Sequence, residues 1–169
     1  LAAMIGIVHG KAIAIEMPDA MGYLLENADG AGLTLDAFHR RITRALLLDG
    51  RHAVLADAPE GGGEPYMRGY SGAAVINWDS DWYVLDECHW ARDGFEWSKV
   101  EQYRVLSLDG VYTQSVFSRH GGARDWTITQ SMPQAMGGQA MVAVPLVIAS
   151  ARDVSATVET PPLIGVARA

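Results

Sequence analysis

Two Asp-Gly dipeptides, Asp93-Gly94 and Asp109-Gly110, constrain this chain more than any other feature. Asp-Gly between alternating residues is the most specific short-range hairpin signal, because tight turns between strands need positive φ at their central positions. The runs they separate are 82–91, 95–106 and 111–118, so three consecutive antiparallel strands are predicted. The stretch 78–126 around them holds all five tryptophans, together with Tyr83, Tyr103, Tyr112, Phe95 and Phe117.

With a two-residue loop at each turn, Trp90 faces Trp97, Cys88 faces Lys99 and Asp86 faces Glu101. Val84 then faces Tyr103, and Trp82 faces Val105. Alternation along a strand puts all of these on one side. The second hairpin adds Tyr112, Gln114, Val116 and Ser118 to that side. The opposite side carries Tyr83, Leu85, Glu87, His89, Ser98, Val100, Gln102, Arg104, Thr113, Ser115 and Phe117. The first side is richer in large apolar groups and is expected to face inward. On it Asp86 and Glu101 oppose each other with Lys99 on a diagonal. Like charges paired across strands destabilise a sheet, and a desolvated pair takes up a proton. Everything here depends on register, since a one-residue slip at either turn moves a strand's set to the other face.

Length and composition bound the rest. At 169 residues and 49% hydrophobic, one core and one domain, 1–169, are expected. Within it lie a helical first third (1–56), a flexible loop (57–65) around Gly61-Gly62-Gly63, and an antiparallel sheet (66–169). The formal net charge of -7 argues against nucleic acid or an anionic membrane as partner. The lone Cys88 excludes an internal disulfide and fits a cytoplasmic protein. The opening apolar run, 1–8, is too short to span a bilayer and lacks a signal-peptide pattern.

Before the aromatic stretch, a strand is predicted over 11–16 and a short helix after Pro18. The clearest helix begins at Thr34 as N-cap. Leu35, Phe38, Ile42, Ala45 and Leu46 make its apolar stripe, and Gly50 stops it. After the hairpins, 123–131 reads as a fourth strand. The run 141–148 is almost continuously apolar, as in a strand buried on both faces, yet Pro145 disfavours a central position. An edge strand covered by another subunit satisfies both facts, so a homo-oligomer built through the low-charge C-terminal segment is expected.

These elements define an α+β protein in which N-terminal helices pack on a strongly curved antiparallel β-meander. In layout alone this resembles the cone-shaped nuclear-transport-factor-2-like architecture, which implies no function. A closed calycin-like barrel is the alternative.

The acidic aromatic face is the leading candidate site. Residues 79–109 hold eight Asp or Glu against three Lys or Arg, which with the aromatic rings suits a cationic or flat aromatic small molecule. Trp82, Trp90, Trp97, Lys99, Tyr112 and Gln114 would bind it. In an enzymatic version Asp86 or Glu101 moves a proton, with Tyr103 and Lys99 as donors. The plain alternative is a wet sheet end, or an oligomeric interaction module with no ligand chemistry. Glu87, His89 and His120 have too little spacing logic for a metal site, and no cofactor is expected. Arg40, Arg41, Arg44 and Arg51 read as ion-pairing residues rather than a nucleic-acid helix. Cys88 cannot be activated by His89, which points to the other face. The 118–122 stretch, Ser-Arg-His-Gly-Gly, is read as a plain turn.

Overall fold

The computed structural model describes residues 1–151, apart from 12, 60, 61, 121, 122, 134 and 137. The α+β class holds, with antiparallel sheets and no closed barrel among the described residues. The chain forms two compact units, the first made of residues 1–72 with the stretch from Pro145, the second of 73–144.

The first unit begins with helix α1 (Ala2–Val8), within the first third expected to be helical, whereas the strand predicted over 11–16 does not form among the described residues. A 3-10 helix, Asp19–Leu25, follows Pro18 as expected. Helix α2 (Leu35–Asp49) ends where its caps say it should. The Thr34 hydroxyl accepts the Ala37 N–H at 3.3 Å, and Gly50 adopts φ 76° at the C-cap, a left-handed conformation that glycine alone takes cheaply. Its stripe buries Phe38. The helix packs on strands β1 (Arg51–Asp57) and β2 (Tyr66–Ser71), which pair from Asp57↔Tyr66 to His52↔Ser71. The glycine-rich 57–65 stretch is thus the link between two neighbouring strands. Gly69 is required on β2, because a Cβ there would lie 2.8 Å from the His52 Nε2.

The second unit is built on a six-stranded sheet. Its strands are β3 (Val75–Trp78), β4 (Trp82–Asp86), β5 (His89–Asp93), β6 (Glu96–Asp109), β7 (Val111–His120) and β8 (Thr127–Pro133). The order is β3-β4-β6-β7-β8, with β5 also pairing to the long β6. A two-stranded ribbon of β9 (Ala135–Met136) and β10 (Gln139–Ala140) follows. Strand β11 (Leu146–Ser150) belongs to the first unit, where it pairs with β1 at the edge of the order β11-β1-β2. Pro145 therefore precedes an edge strand, as its missing N–H requires. The strand covers only the end of the predicted 141–148 run, and Val142 and Val147 are exposed rather than buried on both faces. The oligomer contact was expected through the low-charge C-terminal segment around 141–148; the end of that segment, 152–169, lies outside the described residues.

Both predicted hairpins form, and both registers differ from expectation. At the first, Asp93 pairs with Glu96 across Gly94 and Phe95. Gly94 has φ 60°, and no non-glycine residue among the described residues has positive φ. Positive φ at the first central position only is the type II′ arrangement, so glycine leads the turn instead of following aspartate. The register moves by two residues, which preserves the face but changes every partner. Trp90 now opposes Lys99, Asp86 opposes Tyr103, Val84 opposes Val105 and Trp82 opposes Ser107. At the second, Asp109 pairs with Val111 across Gly110 alone. That one-residue change puts Tyr112, Gln114, Val116 and Ser118 on the side of Arg104 and Leu106.

That side is the buried one. Leu85, Val100, Arg104, Leu106, Tyr112, Gln114, Val116 and Ser118 are all buried. The expectation that Trp82, Asp86, Trp90, Trp97 and Tyr103 face inward is therefore reversed. Compact aliphatic side chains fill this interior, and its polar members are satisfied in place: Arg104 Nε donates to Glu87 Oε1 at 2.9 Å and Gln102 Nε2 to Glu87 Oε2 at 2.8 Å.

Candidate functional site

The outer face of the six-stranded sheet gathers most of the predicted site residues. Alternation along β4, β5 and β6 brings Trp82, Asp86, Trp90, Trp97, Lys99, Glu101 and Tyr103 to one side. Tyr112 and Gln114 are on the buried side instead, where the Tyr112 hydroxyl donates to Gln114 Oε1 at 3.2 Å. They do not share a surface with the others.

The two carboxylates each have their own partner. Glu101 stands opposite Arg119, whose Nε donates to Glu101 Oε2 at 2.6 Å. Asp86 Oδ1 accepts the Cys88 N–H at 2.8 Å. The Cys88 thiol and then its N–H hold the Asp86 carboxyl below the usual carboxylate range; burial opposes this, and the Lys99 charge assists it. The expected raised pKa of a crowded carboxyl pair does not arise at Asp86, because the register separates it from Glu101 and supplies donors. Tyr103 is shifted the other way: its hydrogen bond with Cys88, burial and the nearby acids raise its hydroxyl above the ordinary phenol value. Its ring lies 5.2 Å from that of Trp126, and the Arg119 guanidinium sits 4.5 Å over the same indole. Asp86, Cys88, Tyr103, Trp126, Arg119 and Glu101 thus form a half-open cluster in which the Asp86 carboxylate is favoured. Arg119 and Trp126 were missing from the predicted site, because only the corrected register of β7 sets Arg119 opposite Glu101.

Towards the β5–β6 turn the face opens completely. Trp90 and Trp97 are 64% and 63% exposed and Phe95, at the turn, is 98% exposed. Trp90 opposes Lys99 while Arg92 opposes Trp97, so two indoles and two cations alternate on one face. Ile128, opposite Phe117 on β8, extends the apolar surface and is 60% exposed. Large apolar groups so exposed are unusual enough on a protein surface to ask for a reason.

The remaining candidates resolve differently. Glu87 is almost fully buried and is bonded to Arg104 and Gln102, away from any metal role with His89 and His120. No three His, Cys, Asp or Glu side chains among the described residues gather as a metal-binding group. On α2, Arg40 pairs with Asp36 at 2.8 Å, and at the start of β1 Arg51 Nη2 donates to the Gly72 carbonyl at 2.8 Å. Of the 118–122 turn, residues 121 and 122 lie outside the described set.

In the first unit, Ile13, Ile15, Leu35, Phe38, Ile42 and Met67 line an open apolar groove of about 340 Å³. Nearby, His9 Nε2 lies 2.9 Å from Thr43 Oγ1, and the His9 and His39 rings meet edge to face at 4.9 Å. His52 is buried with neither ring nitrogen hydrogen-bonded, and desolvation lowers its pKa. No helix among the described residues is long and apolar enough to cross a membrane. No protein-family model matches the chain, and no curated protein matches it either.

Proposed function

We propose that this chain is an interaction module that assembles with further copies of itself, using the outer face of its six-stranded sheet as the contact. The observation that carries this reading is the exposure of Trp90, Phe95 and Trp97 side by side on one hairpin. A contact that covers ~100 Å² of each ring stabilises by about 2–3 kcal/mol per residue. Exposed Trp rings beside an arginine, here Arg92, have the composition of interface hot spots. The edge strand β11, with Val147 outward, offers a second surface for the same purpose.

Light scattering on the 169-residue chain across a wide concentration range tests this. The wild type should associate, and Phe95→Ala/Trp97→Ala should remain folded but lose association. A wild type that stays monomeric throughout, or a variant that associates equally well, sinks the reading.

A second reading is a small-molecule site at the half-open cluster, favoured by the tilted ring contact of Tyr103 and Trp126 beside Asp86 and Lys99. A flat aromatic or amine-bearing ligand suits it, with the ionised Asp86 as counter-ion rather than as a proton donor. Thermal unfolding with a panel of amines and aromatics should show stabilisation that Asp86→Ala removes. The absence of a shift with every compound would end this alternative.

A further inference from the structure

Helix α1 and the stretch behind it are anchored to the first unit through one side chain. No residue of α1 is buried, and Met4, Ile7 and Val8 are all exposed. Among the described residues before Leu24, only His9 is buried. Its Nε2 lies 2.9 Å from Thr43 Oγ1 on α2, and its ring meets that of His39 edge to face. The Thr43 hydroxyl donates its one hydrogen to the His39 carbonyl at 3.1 Å, so towards His9 it accepts, and Nε2 is the donor. The Nδ1 of a neutral His9 is then a bare acceptor. It is buried with no hydrogen-bond partner among the described residues, and so is the Nδ1 of His39. One hydrogen bond set against two desolvated ring nitrogens leaves little net stabilisation. The anchor is specific in geometry but weak in energy.

We propose that α1, with Ile13 and Ile15 behind it, is a strap that opens and closes over the apolar groove of the first unit, and that His9 is its latch. Ile13 and Ile15 form one wall of that groove, and Leu35, Phe38 and Ile42 of α2 with Met67 of β2 form the rest. Both isoleucines are more than 40% exposed, so their own packing holds the wall only weakly. Pro18 and the 3-10 helix after it fix the far end of the strap. When His9 undocks, the two Nδ1 atoms regain water, which offsets part of the contact that is lost. Ile13 and Ile15 then swing from the groove and uncover Phe38, which is 2% exposed when the strap is closed. Local opening of this kind belongs to segments with few buried apolar contacts. The inference concerns the first unit alone and does not depend on the self-association reading.

Amide hydrogen exchange of the 169-residue chain, read by mass spectrometry, tests the latch. His9→Ala removes the buried ring, and Thr43→Val removes only its acceptor. Both should speed exchange of the α1 amides by about tenfold while those of β1 and β2 keep their wild-type rates. His9→Gln, which keeps a donor, should stay closer to the wild type than His9→Ala. The dye 1-anilinonaphthalene-8-sulfonate, which fluoresces on apolar surface, should bind more strongly to the two opened variants. Exchange in α1 that neither variant changes overturns the latch. So does equal acceleration in β1 and β2, because His9 would then be an ordinary core residue. Wild-type α1 amides that already exchange as in an unfolded chain also overturn it, since no strap would be closed. Faster exchange in α1 without added dye binding overturns the covering of the groove by the strap.

Discussion

The two faces of the six-stranded sheet invert the usual partition of side chains. The covered face buries an ion pair, Glu87 with Arg104, among Leu85, Val100, Leu106 and Val116. The open face leaves Trp90, Trp97 and Ile128 in water, with Phe95 at its turn. Transfer energetics alone would put the tryptophans inside and the guanidinium outside. The covered face tolerates its buried ion pair because Glu87 is bonded by both Arg104 and Gln102. The open face holds its rings on the side that alternation along β5 and β6 turns away from the core. Satisfied polarity marks the interior of this sheet, and exposed apolar area marks its outer face.

The comparison breaks first at Arg104. Arg104→Ala leaves Glu87 buried without its cation and should destabilise the fold by about 3–5 kcal/mol, read as a shift in the urea midpoint. Replacing both partners, Glu87→Gln with Arg104→Met, should cost clearly less than Arg104→Ala, since no charge is then stranded. On the open face the corresponding ion pair is worth far less. Glu101 and Arg119 are each about a quarter exposed, so Arg119→Ala should cost at most about 1 kcal/mol. It should also change the fluorescence of Trp126, over which the guanidinium sits.

Titration separates the regions further. The folded-state pKa of Asp86 lies below its value in the unfolded chain, so its stabilising contribution is present above the ordinary carboxylate range and is lost as pH falls through the folded value. Asp86→Asn should remove that acid-limb step from an unfolding profile. His52, in the first unit, acts in a different window. Its neutral form is favoured by burial, so the unfolded chain takes up the proton first, and stability should fall as pH drops below about 6.5. His52→Gln should flatten that limb and leave the Asp86 step in place. The smallest expected effect on stability is at the hairpin tip. Trp97→Ala should change unfolding free energy by no more than about 0.5 kcal/mol, because the ring is mostly in solvent already.

Where local chemistry decides, the fold was legible in the sequence. Thr34, Phe38 and Gly50 announced helix α2, and Pro145 announced an edge strand. Both Asp-Gly dipeptides marked real turns. Their registers were not legible, because a glycine can lead a two-residue turn, follow it, or stand alone in it, and only packing of the flanking strands chooses. The choice at Gly110 alone moved Tyr112 and Gln114 away from the other candidates. The inner face was misjudged for a related reason: counting aromatic mass favoured the side with Trp82, Trp90 and Trp97, whereas Leu85, Leu106 and Val100 pack more compactly. The spacing of Glu87 from Arg104 gave no sign that they would neutralise each other, since they meet across strands. Helix α1 carried no capping signal, and none is used: its N-cap makes no side-chain hydrogen bond.

The most direct test of the open face as a contact surface is residue-resolved hydroxyl-radical footprinting at rising protein concentration. Trp90, Phe95 and Trp97 should become protected as the chain associates, while Tyr112 and Leu106 keep the low reactivity of buried groups. Association that leaves those three residues as reactive as in the dilute protein would contradict a contact through this face.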